Sequence, residues 1–127
     1  MIGRLKRRAE FLQVAAARKK WAAPGLILQV RPNQLLPSSE IAGAPIPAAL
    51  RVGFTASRKV GNAVKRNRAR RRLKAVVGAV LPRHGLPGFD LVLIARPATV
   101  DRPYRDLVND FIAALKRMRV YTETGNA

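Results

Sequence analysis

The chain has 127 residues, 48% of them hydrophobic, and no cysteine, so it suits one small packed domain and excludes disulfides and thiolate metal sites. Its 25 Lys and Arg outweigh 7 Asp and Glu, leaving a net charge of +18 that calls for a polyanionic partner. The start, Met-Ile-Gly-Arg-Leu-Lys-Arg-Arg, is basic, but no apolar signal segment follows and no run approaches the ~18 residues of a membrane span, so a cytoplasmic protein without membrane contact is expected.

Lys6 to Ala17 is rich in Ala, Leu, Arg and Lys and predicts a short first helix on which Phe11, Val14 and Ala15 share a side. After Pro24-Gly25, the compact run Leu26 to Val30, ended by Arg31-Pro32, predicts a strand. The stretch from Pro32 to Ala49 holds four of the nine prolines and reads as a long flexible connection. Arg51 to Ser57 alternates, with Val52, Phe54 and Ala56 opposite Arg51, Gly53, Thr55 and Ser57, the period of a half-exposed strand. Gly61-Asn62 supplies a turn and an N-cap for a basic helix expected to end near Leu81, before Pro82. Asp90 to Arg96 is continuously apolar between its charged ends and reads as a strand covered on both faces, the centre of the sheet. Asp101 and Pro103 open a last helix, on which Tyr104, Leu107, Val108, Phe111, Ile112, Leu115 and Met118 repeat at helical spacing. The expected fold is α+β, a small mixed sheet packed against helices in the order α-β-β-β-α-β-α, with the helices covering one face of a two-layer sandwich. The division is one RNA-binding domain over residues 1–119, interrupted by the connection at 32–49, and a disordered tail at 120–127.

Catalytic side chains are scarce. The acids are Glu10, Glu40, Asp90, Asp101, Asp106, Asp110 and Glu123, and only Asp106 and Asp110 are spaced to share a helix face, where such pairs are ordinarily solvated surface charges. His84, the sole histidine, sits in a loop without serine or cysteine partners, and Gly61 to Lys65 lacks the remainder of a phosphate-binding loop. The basic helix carries the functional reading instead. Ala69, Leu73, Val76, Val77 and Val80 form one face, while Ala63, Asn67, Arg70, Arg71 and Lys74 gather on another. Seven of the ten residues from Lys65 to Lys74 are Arg or Lys, and no acid occurs between Glu40 and Asp90. Like charges at these spacings repel, by a few tenths of a kcal/mol per pair, and a face kept only for solubility would intersperse acids. Contact with nucleic-acid phosphates accounts for the pattern better.

The block Arg51-Val-Gly-Phe-Thr-Ala-Ser-Arg-Lys-Val-Gly-Asn-Ala-Val-Lys-Arg-Asn-Arg-Ala-Arg-Arg-Arg-Leu-Lys74 closely resembles the signature of the bacterial ribonuclease P protein subunit. Leu5 to Phe11, and Asp90 to Arg96 followed by Tyr104 and the final helix, are similar to that family's two ends. The resemblance implies an accessory subunit of a ribonucleoprotein endonuclease. Its catalytic RNA would remove the 5′ leader of precursor tRNA with magnesium held mainly by the RNA, and no small-molecule substrate would be involved. It also implies a sandwich like that of a ribosomal protein domain, with a left-handed crossover at the basic helix. By the same likeness Arg66, Asn67, Arg68, Arg70, Arg71 and Lys74 would meet the catalytic RNA. Phe11, Gln29, Lys59, Ala63 and Arg66 would line the leader cleft. Ala15 and Gln29 stand where the family often has aromatics, and Phe11 has two readings, core or cleft. A structural RNA-binding protein, such as a ribosomal protein, and an autonomous nuclease are the competing classes. The signature block argues against the first and the lack of clustered acids and histidines against the second.

Overall fold

The computed structural model describes residues 2–33 and 50–123. Five strands form one mixed sheet: β1 (Ile2–Arg4), β2 (Lys20–Ala22), β3 (Leu26–Pro32), β4 (Leu50–Thr55) and β5 (Phe89–Ala95), in the spatial order β1-β4-β5-β3-β2. Among the described residues there are also three helices, α1 (Arg8–Ala16), α2 (Ala63–His84) and α3 (Tyr104–Arg117), and a short 3₁₀ turn at Pro97–Val100. β5 is the central strand, as its apolar run predicts. It pairs antiparallel with β3 and parallel with β4, and α2 is the crossover joining the two parallel strands.

The alternation of the strands divides the sheet into two faces. Leu26, Leu28 and Val30 of β3, Leu50 and Val52 of β4, and Leu91 and Leu93 of β5 pack with Ala69, Leu73, Val76, Val77 and Val80 of α2 and Leu107, Phe111 and Leu115 of α3. This is the main core, and the predicted stripes of α2 and α3 supply its helical half. Tyr104 departs from the stripe: it is 45% exposed and donates its hydroxyl to the Ala75 carbonyl. The opposite face is not bare, as helices on one side alone would leave it. α1 lies across it, with Val14 buried against Leu5 and Val92 and with Phe11 and Ile94 at the margin.

Polar side chains on that second face are fastened to one another. Arg51 donates twice to Asp90, at 2.8 and 2.7 Å, and a third time to Glu10 on α1 at 2.9 Å. Asn33 donates to the same Asp90 carboxylate at 2.8 Å, and Asp90 is wholly buried. A buried carboxylate persists only when its lone pairs are met in this way. Glu10 also accepts from the backbone N–H groups of Lys6 and Arg7, 2.9 and 3.0 Å away. Those two bonds, helped by the Arg51 guanidinium, hold its carboxyl below the ordinary carboxylate value. α1 is thereby anchored at its first turn.

Three boundaries differ from the expected ones. β1, too short to show a period, pairs parallel with β4 from Ile2↔Leu50 to Arg4↔Val52. α2 passes through Pro82 and ends at His84, because Pro82 sits in the last turn, where the one N–H it removes would have met the carbonyl of Gly78; both residues are exposed, so water reaches that carbonyl. Val120 and Tyr121, expected in the tail, pack on the fold: Val120 is buried, and Tyr121 bridges to Gly85 and stacks on His84 at 4.8 Å. The connection at 34–49 and residues 124–127 lie outside the described residues.

Candidate nucleic-acid interface

β4 ends at Thr55, and Ala56 to Asn62 turn the chain into α2. The Val60 and Gly61 N–H groups bond back to Ser57 and Arg58, and Asn62 caps the helix through a 3.0 Å bond from the Lys65 N–H. Gly61 has φ +144°, and a Cβ there would fall 2.7 Å from the Lys65 side chain, so glycine lets the turn close under the first cation of the helix.

Several polar side chains of α2 fall into three sets. Arg68 and Arg72 reach sideways to the 3₁₀ turn. Arg68 donates Nε to the Val100 carbonyl at 3.0 Å, and Arg72 donates to Thr99, Val100 and Arg102 carbonyls. These bonds tie the helix to the fold, a role the sequence pattern does not distinguish from RNA contact. Asn67, Arg71 and Lys74 point outward and are exposed. Arg70 is half-buried on the other flank, where its guanidinium bonds Asn67 at 3.0 Å and lines a groove. None of the α2 cations meets a carboxylate among the described residues.

That groove, open to solvent and about 490 Å³ in volume, runs between α1, the end of β4 and α2. Lys6, Arg8 and Arg70 give it positive charge, Thr55 and Ser57 give hydroxyls, and Phe11, Phe54 and Ala56 give apolar surface. Phe11 is half-buried at the margin of the second cluster and lines this groove. Its ring lies on the sheet over Gly53, where a Cβ would come within 2.5 Å of Cε1, so the absence of a side chain at Gly53 makes the seat for the ring. Arg4 stands over the Phe54 ring at 5.1 Å.

Of the residues expected to line a leader cleft, Phe11 lines this groove. Gln29 lies on the same sheet face, in the row Gly53–Val92–Gln29 across β4, β5 and β3. Lys59 is exposed on the turn after Ser57, Ala63 is the exposed first residue of α2, and Arg66, half-buried, precedes Arg70 by one turn; neither Gln29 nor any of these three is a lining residue. Lys6, Arg8, Phe54, Thr55 and Ser57 were not singled out from the sequence, although the alternation of Arg51 to Ser57 already separated Thr55 and Ser57 from Phe54. What it lacked was the position of α1.

The family model described as Ribonuclease P matches residues 3–119. The ribonuclease P protein component of Paramagnetospirillum magneticum is 52% identical over 97% of this chain and 87% of its own length. The chain belongs to the bacterial ribonuclease P protein family. The corresponding component of Ruegeria pomeroyi is 44% identical, over 90% of this chain and 84% of its own. In fold, the chain is similar to the RNase P protein of Staphylococcus aureus, with TM-score 0.72, 22% identity and coverage of 94% and 97% of the two chains. Against the Thermotoga maritima protein the TM-score is 0.66, at 23% identity and coverage of 90% and 96%.

Three acids of the chain, Glu10, Asp90 and Asp110, are used internally. Asp110, expected on the surface, is buried, accepting from the Gly25 N–H at 2.9 Å and from Arg102 at 2.6 and 3.2 Å. Both of its carboxylate oxygens are thus engaged within the fold. No three His, Cys, Asp or Glu residues among those described come together as a metal site. His84 ends α2 half-buried, with Nδ1 2.9 Å from the Thr122 carbonyl, rather than lying free in a loop. No described helix is long and apolar enough to cross a membrane.

Proposed function

We propose that this chain acts in the cytoplasm as the protein component of ribonuclease P, binding the catalytic RNA through the outer face of α2 and the 5′ leader of precursor tRNA in the groove beside it. The carrying observation is an α2 face of exposed cations without a carboxylate partner among the described residues, next to a groove that combines cations with aromatic rings. Phosphates of a large folded RNA would meet Arg66, Asn67, Arg70, Arg71 and Lys74, with Arg68 adding what its bond to Val100 leaves free. In the groove, Lys6, Arg8 and Arg70 would hold leader phosphates while a base lies against Phe11 or Phe54, a pattern that grips single strands with little regard to sequence. Lys59 and Arg66 stand at its approach, and Gln29 extends the same face of the sheet.

Removal of the leader needs an activated water. Magnesium would supply Lewis-acid chemistry, and with no grouped carboxylates among the described residues the ion would be held mainly by the RNA. The protein's own contribution is to bind and align the leader. Incubating precursor tRNA with the purified protein, with the catalytic RNA, and with both tests this reading. Cleavage should need the RNA and improve with the protein. Metal-dependent cleavage by the protein alone, abolished by substituting Asp106, would overturn it.

A further inference from the structure

Among the described residues, two that are not glycine adopt positive φ, and both are arginines: Arg18 at 57° and Arg119 at 61°. Each follows a helix at the position where the chain turns left-handed. Arg18 donates its N–H to the Ala15 carbonyl at the end of α1. Arg119 donates to Lys116 while the Val120 N–H reaches Leu115, the paired bonds of a Schellman ending of α3. Glycine takes this conformation without strain, and asparagine is the usual second choice. Placing the bulkiest cation at both turns has no reward in the backbone, so its reward must lie in the side chains.

The two turns converge. Arg18, Lys19 and Lys20 lead directly into β2, the edge strand farthest from β1, and Arg117 stacks on the Trp21 ring at 4.7 Å, bringing the end of α3 onto that edge. Arg18, Lys19, Lys20, Arg117 and Arg119 are all exposed, and none meets a carboxylate among the described residues. None lines the groove. Arg117 covers a face of Trp21, so the edge presents cations rather than a stacking platform and suits a sugar–phosphate backbone better than bases.

We infer that the β2 edge, with Arg18, Lys19, Lys20, Arg117 and Arg119, is a second RNA-binding surface that takes a backbone segment of the same catalytic RNA that α2 binds. This rests on the proposed function in taking that RNA as partner. A protein already held by α2 offers this edge to other segments of the same molecule at high effective concentration, which favours them over a separate chain.

The test uses the complex reconstituted from the full chain and the catalytic RNA. In an Arg18→Gly, Arg119→Gly variant, glycine suits both turns, so the melting temperature should hold or rise. Affinity for the RNA should fall about tenfold, and the slope of log affinity against log salt should shrink by about 1.4 to 1.8, the share of two phosphate contacts. Lys19→Gln with Lys20→Gln, which alters no left-handed residue, should shrink the slope similarly. Preference for precursor over mature tRNA should be unchanged in both. Unaltered affinity and slope in both variants would overturn the inference, as would a loss confined to tRNA binding. Arg71→Glu is the control: if it weakens the complex while the edge variants do not, only the second surface fails, and if neither does, the reading of α2 fails too.

Discussion

Helices α2 and α3 rest on the same face of the sheet with comparable apolar stripes, yet they handle charge in opposite ways. α3 turns Asp110 inward to hold Arg102 and the Gly25 N–H, and Asp110 in turn keeps the Arg102 guanidinium protonated above its ordinary range. α2 has no carboxylate in 22 residues, and it spends only Arg68 and Arg72 on backbone carbonyls. Across the sheet, Arg51 repeats the α3 solution with Asp90 and Glu10. An arginine held by a carboxylate belongs to the fold; the arginines left to water on α2 are available to a partner.

The comparison breaks most visibly if the two kinds of arginine contact are exchanged in importance. Asp90→Ala strands the partly buried Arg51 and removes the carboxylate to which Asn33 also donates, so unfolding by urea should show a loss of about 3–5 kcal/mol. Arg71→Glu, on the exposed face, should stay within about 0.5 kcal/mol of the parent protein. Equal losses would mean that α2 cations are structural after all.

A smaller effect sharpens the role of the groove. Gly53→Ala puts a Cβ within 2.5 Å of the Phe11 ring and should displace it, at a cost of about 1–3 kcal/mol. Competition binding with the assembled complex should then show a reduced preference for precursor over mature tRNA, while affinity for the catalytic RNA is retained. An unchanged preference would remove Phe11 from leader binding.

The smallest effect concerns α1. Because the Glu10 carboxyl is held below 4.5 in the folded protein, its bonds stabilise the fold fully above that pH and are lost as the pH falls below it. Urea unfolding followed across that acid range should be less pH-dependent in Glu10→Gln than in the parent; identical curves would mean that Glu10 does not anchor α1.

Much of the fold was legible because periodicity is a property of single segments. The stripe Leu107–Phe111–Leu115, the alternation of Arg51 to Ser57 and the apolar run of β5 each report their own burial. β1 was not legible, since three residues carry no period and its place is fixed by pairing with β4. The inward turn of Asp110 depends on Gly25, 85 residues away, and that of Asp90 on Asn33 and Arg51, so local spacing could not separate these acids from surface ones. The same holds for the site: the cationic face of α2 was visible in its sequence, whereas the groove needs α1 laid across Gly53. Arg68 and Arg72 look like their neighbours in the run, and only the nearby 3₁₀ turn shows them to be fasteners.

The most direct test of the central claim is the salt dependence of binding between the catalytic RNA and an Arg70→Glu, Arg71→Glu variant, compared with the parent protein. Six or more phosphate contacts by the parent predict a loss of about 10³-fold or more in affinity between about 50 and 200 mM salt. For the variant the account predicts binding weaker on the order of 100-fold at the lower salt, a distinctly flatter dependence and an unchanged melting temperature. Parental affinity and slope in that variant would contradict it.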